Sequence, residues 1–352
     1  MNNLHERPGV YSVYDTSSVL SGGRAARTIG VAARAAKGEA DKAVTVTGYA
    51  AGAAAFGEDE TPGMSTLLRL LFAGGASAVT AVPVGGEGTA EDYRRAFAVL
   101  GREEAQILVC DSGEETVQQA LRDAVEEASA LRHERIAVVG CAGAEVSELV
   151  SRAEALNSER VVLVGPDALD GGGKPLSGVF AAAAVAALAA AGGDPAVPLN
   201  GGELKGLGGL SQDYGEGDID LLVRGGVTPL ECVAGTVSPV RGVTTRTKTG
   251  GVPDATWREL TTILIVDDVI PAVRSALRSR FSRSKNTART RAAVRSQVIV
   301  ELEKKLAAEI ISGYDGVTVT ASEEDPTVCL VEFGFSVAHG LNQVRLTVHI
   351  EI

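Results

Sequence analysis

The residues of this 352-residue chain best suited to catalysis or metal binding are four histidines, four cysteines and two acidic clusters. A hydrolytic triad needs a nucleophile, a histidine and a carboxylate converging within hydrogen-bond reach. His5 lies in the N-terminal segment, His339 at a turn and His349 in the last segment. His133 is left, at the end of a charged helical stretch, where a solvated residue is the ordinary reading. No Gly-x-Ser-x-Gly elbow accompanies it. Phosphate loops fail on similar grounds. Gly171-Gly172-Gly173-Lys174 is followed by Pro175, where Ser or Thr should meet magnesium, and Ala168 stands where the motif's first glycine belongs. Gly206-Leu207-Gly208-Gly209 joins no recognisable strand to a helix, so both stretches read as turns. Asp267-Asp268 and Glu323-Glu324-Asp325 have no His or Cys cluster beside them and are expected to be solvated carboxylates rather than metal ligands. The expectation is that there are no catalytic, cofactor-binding or metal-binding residues.

Cys110, Cys141, Cys232 and Cys329 are far apart and form no C-x-x-C pair. They read as small core hydrophobes in a reducing compartment, which implies folding in the cytoplasm. The N-terminus lacks the basic and apolar regions of a signal peptide. No run approaches the ~20 apolar residues that span a bilayer; the alanine-rich stretch at 178–191 reads as a buried helix.

Charge gives a stronger signal. Arg274, Arg278, Arg280, Arg283, Lys285, Arg289, Arg291 and Arg295 fall within 22 residues that contain no Asp or Glu. Without these eight, the remaining 25 basic and 45 acidic residues balance at −20, against −12 for the whole chain. A solvated helix face ordinarily mixes signs, so this segregation points to an anionic partner. Nucleic acid fits it poorly. The run holds a single aromatic residue, Phe281, for stacking, and the overall charge opposes coating a polyanion.

The elements that must position these residues alternate along the chain. Strands are expected at 28–33, 76–84, 105–110, 136–140 and 160–164. Helices are expected at 63–72, 89–100, 114–132 and 144–155. Short apolar strands between amphipathic helices predict an α/β layer with a mainly parallel sheet. From 192 to 251 glycine and proline are frequent, the chain is expected to be irregular, and a domain boundary falls there. A strand-like run at 257–266, a helix starting near Pro271, a second helix at 287–311 and strands at 317–321 and 328–338 follow.

The final segment is strictly patterned. Val344, Leu346, Val348, Ile350 and Ile352 are apolar, and the residues between them are polar. Period-2 alternation to the last residue predicts a strand docked in a sheet. Pattern alone favours pairing within its own chain, as most terminal strands do; donation to a neighbour by strand addition is the other reading.

Several stretches, in order and at matching spacing, resemble the contractile phage tail sheath family, in the short form of phage-like bacteriocins and small contractile tails. They are Arg7-Pro8-Gly9-Val10-Tyr11, the unit from Pro62-Gly63-Met64 through Ala73-Gly74-Gly75-Ala76, and Asp254-Ala255-Thr256-Trp257-Arg258-Glu259-Leu260. The closing blocks at 298–313 and 333–352 complete the match. Residues 192–235 align only in composition. The resemblance implies an outer α/β domain, subtilisin-like in topology, at 24–240. It implies an α+β C-terminal domain at 241–352, completed by the N-terminal arm at 1–23. It also implies arms that pair with neighbouring subunits through Val10, Tyr11, Val13 and Tyr14 at one end and Val344, Leu346, Val348, Ile350 and Ile352 at the other. The basic run is then expected to face an acidic tail tube.

The expected function is therefore structural. The chain would polymerise helically around a tail tube protein, contact baseplate and tail-terminator proteins, and contract to drive the tube through an envelope. It would insert in no membrane and bind no nucleic acid directly. It would be made in the bacterial host cytoplasm and reside in a phage tail or phage-like particle. An α/β hydrolase and a nucleic-acid-associated protein using 274–295 are the alternatives carried forward.

Overall fold

A strand that is apolar at every position needs cover on both faces, and the central sheet provides it. A computed structural model describes residues 27–58, 60–143, 145–343 and 346. The chain begins with β1 (Ile29–Ala33), β2 (Val44–Val46), α1 (Tyr49–Phe56), α2 (Met64–Ala73) and β3 (Val79–Pro83). It continues through α3 (Ala90–Leu100), β4 (Ile107–Cys110), α4 (Glu115–Ala130), β5 (Ile136–Gly140), α5 (Val146–Leu156) and β6 (Val161–Gly165). A small sheet of β7 (Ala168–Asp170), β8 (Pro175–Leu176) and β9 (Leu207–Leu210) brackets α6 (Gly178–Ala191). Next come α7 (Glu216–Arg224), β10 (Val227–Val233), β11 (Thr236–Pro239) and a hairpin of β12 (Lys248–Thr249) with β13 (Val252–Pro253). The chain then forms α8 (Leu260–Phe281), α9 (Ala288–Ala307), β14 (Ile311–Ala321) and β15 (Cys329–Val337).

The main sheet has the order β11-β10-β6-β5-β4-β1-β3-β2. Its six inner strands are parallel, and β2 and β11 close the edges antiparallel. Alternation sorts the strand side chains to two cores. Val31, Ile107, Val138 and Val162 meet α2 and α6 on one face; Leu108, Ala137, Val139 and Leu163 meet α3, α4 and α5 on the other. The alanine-rich helix α6 is buried almost all round, as expected, and crosses the sheet at close quarters. A Cβ on Gly140 would come within 2.1 Å of the Gly178 carbonyl.

Three expectations are corrected. The run 257–266 is not a strand, and the following helix does not start near Pro271. One helix, α8, begins at Leu260 and carries Pro271 in its interior. Its first half packs in the α/β core through Ile263, Leu264 and Val266, and burial around the helix erased the amphipathic period. Residues 206–209 are not a turn, because Leu207–Leu210 pairs antiparallel with β7. The stretch from 192 to 251 is less irregular than expected and holds α7, β10 and β11. By contrast, residues 171–174 do form a turn, in which the Asp170 carboxylate accepts from the Gly172 and Lys174 amides.

Candidate functional site

The second half of α8 leaves the sheet and builds a separate core. Val269, Val273 and Leu277 pack there with Val294, Val298 and Leu302 of α9 and with Ile311 and Val317 of β14. Helix α8 is thus common to both cores, and ion pairs fasten it at the junction. Arg160, only 2% exposed, donates to both Asp267 carboxylate oxygens at 2.8 and 3.0 Å. Arg274 donates to Glu134 at 2.6 Å, and Lys305 of α9 lies 3.5 Å from Asp268. Asp267 and Asp268 are therefore not solvated carboxylates. Burial pushes both carboxyls up, and Arg160 and Lys305 respectively oppose the shift. The sequence carried a signal for this: two adjacent aspartates directly after the apolar run 263–266, and an arginine at the head of an apolar strand.

Beyond that junction, β14 and β15 form a two-stranded antiparallel ladder of eleven and nine residues. One face covers α9, through Val319, Val331, Phe333 and Phe335. Among the described residues neither outer edge is paired with a further strand. Two such edges on long strands are templates for strand addition.

The basic run divides in two. Arg274 turns inward to Glu134; Arg280 donates to Gln297, Arg291 to the Asn286 Oδ1 at 3.0 Å, and Arg295 to the Val317 carbonyl at 2.8 Å. Arg278, Arg283, Lys285 and Arg289 are exposed along the end of α8, the turn and the start of α9, and Arg280 and Arg295 are exposed as well despite their hydrogen bonds. The turn is not isolated. Asn286 Nδ2 donates to the Pro326 and Val328 carbonyls, which ties it to the β14–β15 hairpin tip where Glu323, Glu324 and Asp325 are exposed.

Of the residues expected in the arms, Val10, Tyr11, Val13, Tyr14, Val344, Val348, Ile350 and Ile352 lie outside the described residues. Leu346 is described and is 85% exposed. His5 and His349 also lie outside them, and His133 and His339 are exposed. At the carboxyl end of the sheet, Asp111 accepts from the Tyr93 hydroxyl at 2.5 Å and from the Arg34 amide at 2.9 Å. These contacts pin β1 to β4, and no histidine among the described residues joins them. Cys110 and Cys141 are buried, and burial pushes the Cys110 thiol up to about 12, which suits packing rather than reactivity. Cys232 and Cys329 are half-buried.

Residues 86–245 match the phage tail sheath protein central domain, and residues 252–351 match the phage tail sheath C-terminal domain. The chain belongs to the phage tail sheath family. The tail sheath protein of Bacillus phage SP01 is 27% identical over 259 residues, covering 71% of this chain and 44% of that protein. The chain thus spans less than half the length of that sheath relative. A sheath tail protein from Desulfitobacterium hafniense shares the fold, with a TM-score of 0.71 at 12% identity over 94% of this chain and 100% of that one. The contracted sheath complex of an extracellular contractile injection system, PVC, aligns with a TM-score of 0.73 at 14% identity over 100% of this chain and 99% of that one. The family assigns the chain a structural role as a sheath protein rather than an enzyme.

Proposed function

We propose that this chain is the repeating subunit of a contractile tail sheath, assembling helically around a tail tube and shortening to drive the tube through a target envelope. The observation that carries this reading is the β14–β15 ladder, both of whose edges are unpaired among the described residues, in a chain of the sheath family. The ladder is held on one face by α9, while the backbone donors and acceptors along its edges stay open to a further strand. Strands donated by neighbouring copies pair with them. The donors are the two chain ends, through Val10, Tyr11, Val13 and Tyr14 and through Val344, Leu346, Val348, Ile350 and Ile352. A contact in which one patch meets a different patch on the next copy generates an open helical polymer when its rotation does not close into a ring, as a sheath requires.

In this reading residues 24–240 form the outer domain, with subtilisin-like topology, and residues 241–352 with the arm at 1–23 form the inner one. The basic run faces the tube, and Arg278, Arg283, Lys285 and Arg289 make the contact because they are exposed and their donors are not engaged by the hydrogen bonds that hold Arg274, Arg280, Arg291 and Arg295. Arg274, Arg280, Arg291 and Arg295 hold the turn that presents them. Baseplate and tail-terminator proteins are the partners at the two ends of the particle, and assembly takes place in the host cytoplasm. Shortening needs two packings of the same subunits separated by a barrier.

Electron microscopy of the purified protein, alone and with its tube, tests the proposal. Hollow cylinders of repeating subunits are the expected result; dispersed monomers at all concentrations refute it.

A further inference from the structure

The continuous described chain starts at Arg27 and runs to Gln343, apart from two single positions, and both ends touch one short stretch, residues 189–200. Arg27 donates from its backbone N to the Ala190 carbonyl at 3.4 Å and from Nη1 to the Ala189 carbonyl at 3.0 Å. These carbonyls belong to the last turn of α6, where intrahelical partners run out and the macrodipole is negative. Asp194, Asp267 and Asp268 place further negative charge around the same guanidinium. At the other end, Asn200 Nδ2 donates to Asn342 Oδ1 at 2.8 Å, and Asn342 Nδ2 reaches Glu259 Oε2 at 3.5 Å. Arg241 holds Glu259 in turn at 2.5 Å. Gly340 is packed so tightly on Pro198 that a Cβ would come within 2.9 Å of the ring.

We propose that residues 189–200 are a common anchor for both chain ends, so that force carried by either arm enters the subunit at one corner and passes to α8 through Glu259, Asp267 and Asp268. The inference rests on the reading that the residues before Arg27 and after Gln343 pair with neighbouring subunits. Its physical content is geometric. A subunit that pivots about one corner keeps both attachment points in place, whereas attachment points on opposite sides would be swept apart by the same rotation. Co-located anchors let subunits turn during shortening without stretching or releasing an arm.

Locking and loosening the anchor test this. The Cβ position at Gly340 is 3.1 Å from the Pro198 Cβ, near the ~3.5–4.5 Å of a disulfide, so Pro198→Cys with Gly340→Cys can be oxidised shut. The four native cysteines are free, and peptide mass identifies the intended bridge. Locked subunits are expected to assemble and shorten like the wild type, because the anchor stays closed in both states. Locked cylinders that form but shorten only after reduction would overturn the anchor and leave the sheath reading intact. Loosening by Arg27→Ala, Asn200→Ala and Asn342→Ala together should leave the subunit folded and able to assemble. Shortened sheaths of that variant should release about ten-fold more free subunit than wild type at a fixed denaturant concentration, given the usual worth of the lost hydrogen bonds. Release equal to wild type would also overturn the anchor. Wild-type protein that forms no cylinders would overturn the sheath reading, and the anchor with it.

Discussion

Arg160 and Asp267 meet through two hydrogen bonds of 2.8 and 3.0 Å across 107 residues of sequence. One stands at the head of β6 and the other in the middle of α8, so the pair joins the helix that serves both cores to the central sheet. Arg160 also donates to the Arg135 carbonyl at 3.1 Å, which seats the guanidinium across the amino ends of two strands.

Breaking this pair is expected to be more harmful than replacing it. Asp267→Ala leaves Arg160 buried without its carboxylate and should cost about 3–5 kcal/mol in denaturant unfolding. Arg160→Met combined with Asp267→Leu removes both charges and should recover most of that loss. A single mutant within about 1 kcal/mol of wild type would show that the pair does not fasten α8 to the sheet.

Acid should loosen the start of α3 before the cores. Thr89 and Asp92 form a capping box, in which Asp92 accepts from the Thr89 amide and hydroxyl, both at 2.8 Å. These bonds, with a further contribution from Arg95, lower the Asp92 carboxyl from 3.8 to about 2. Because the folded value lies below the unfolded one, the contribution to stability is complete above the unfolded value of 3.8. It disappears as pH falls toward about 2. An NMR titration should place the Asp92 midpoint there, and Thr89→Val should move it upward. A midpoint unchanged by Thr89→Val would remove the capping box as its cause.

The sheet and its helices were legible because each apolar strand, such as Ile107–Cys110, is short and bounded by polar turns. The burial of α6 was legible for the opposite reason, since a stretch of alanines has no polar face to expose. The sequence misled where a helix is covered on several sides. Ile263, Leu264, Ile265 and Val266 are consecutive and largely β-branched, and a short apolar run of that kind has no period that separates strand from helix. Pro271 reinforced the error, because proline ordinarily marks a helix start. The candidate surface was half legible. The basic run was visible as composition, but that Arg274 is neutralised within the subunit depended on a long-range partner, Glu134.

The exposed members of that run should control tube binding. Arg278→Glu with Arg289→Glu is expected to prevent decoration of tubes while far-UV circular dichroism and melting temperature stay near wild type. One exposed ion pair contributes only about 0–1 kcal/mol, but a sheath repeats the contact at every subunit. Raising ionic strength should weaken the wild-type contact in the same direction. Arg274→Ala serves as the contrast: it should destabilise the subunit, because its partner Glu134 is internal. Normal decoration by the double mutant would remove these residues from the tube-facing surface.

The strictly alternating C-terminal segment allows the most decisive test of strand exchange. Among the described residues, the core beneath β14 and β15 is assembled from α8, α9 and the ladder itself. If Val344, Leu346, Val348, Ile350 and Ile352 pair in a neighbour, deleting residues 344–352 removes nothing that this core uses. The truncated protein should then be monomeric, soluble and cooperatively folded, with a melting temperature close to that of the full chain. Burying one aliphatic side chain contributes about 1.5–3 kcal/mol, so losing several at every contact should abolish cylinders altogether. Val348→Asp should reproduce the defect by placing an unpaired charge in the same buried face. A strand that pairs within its own subunit predicts the reverse, because truncation would then expose the ladder's edge and lower the melting temperature or cause aggregation. Cylinders that form normally from either variant would eliminate exchange through this segment.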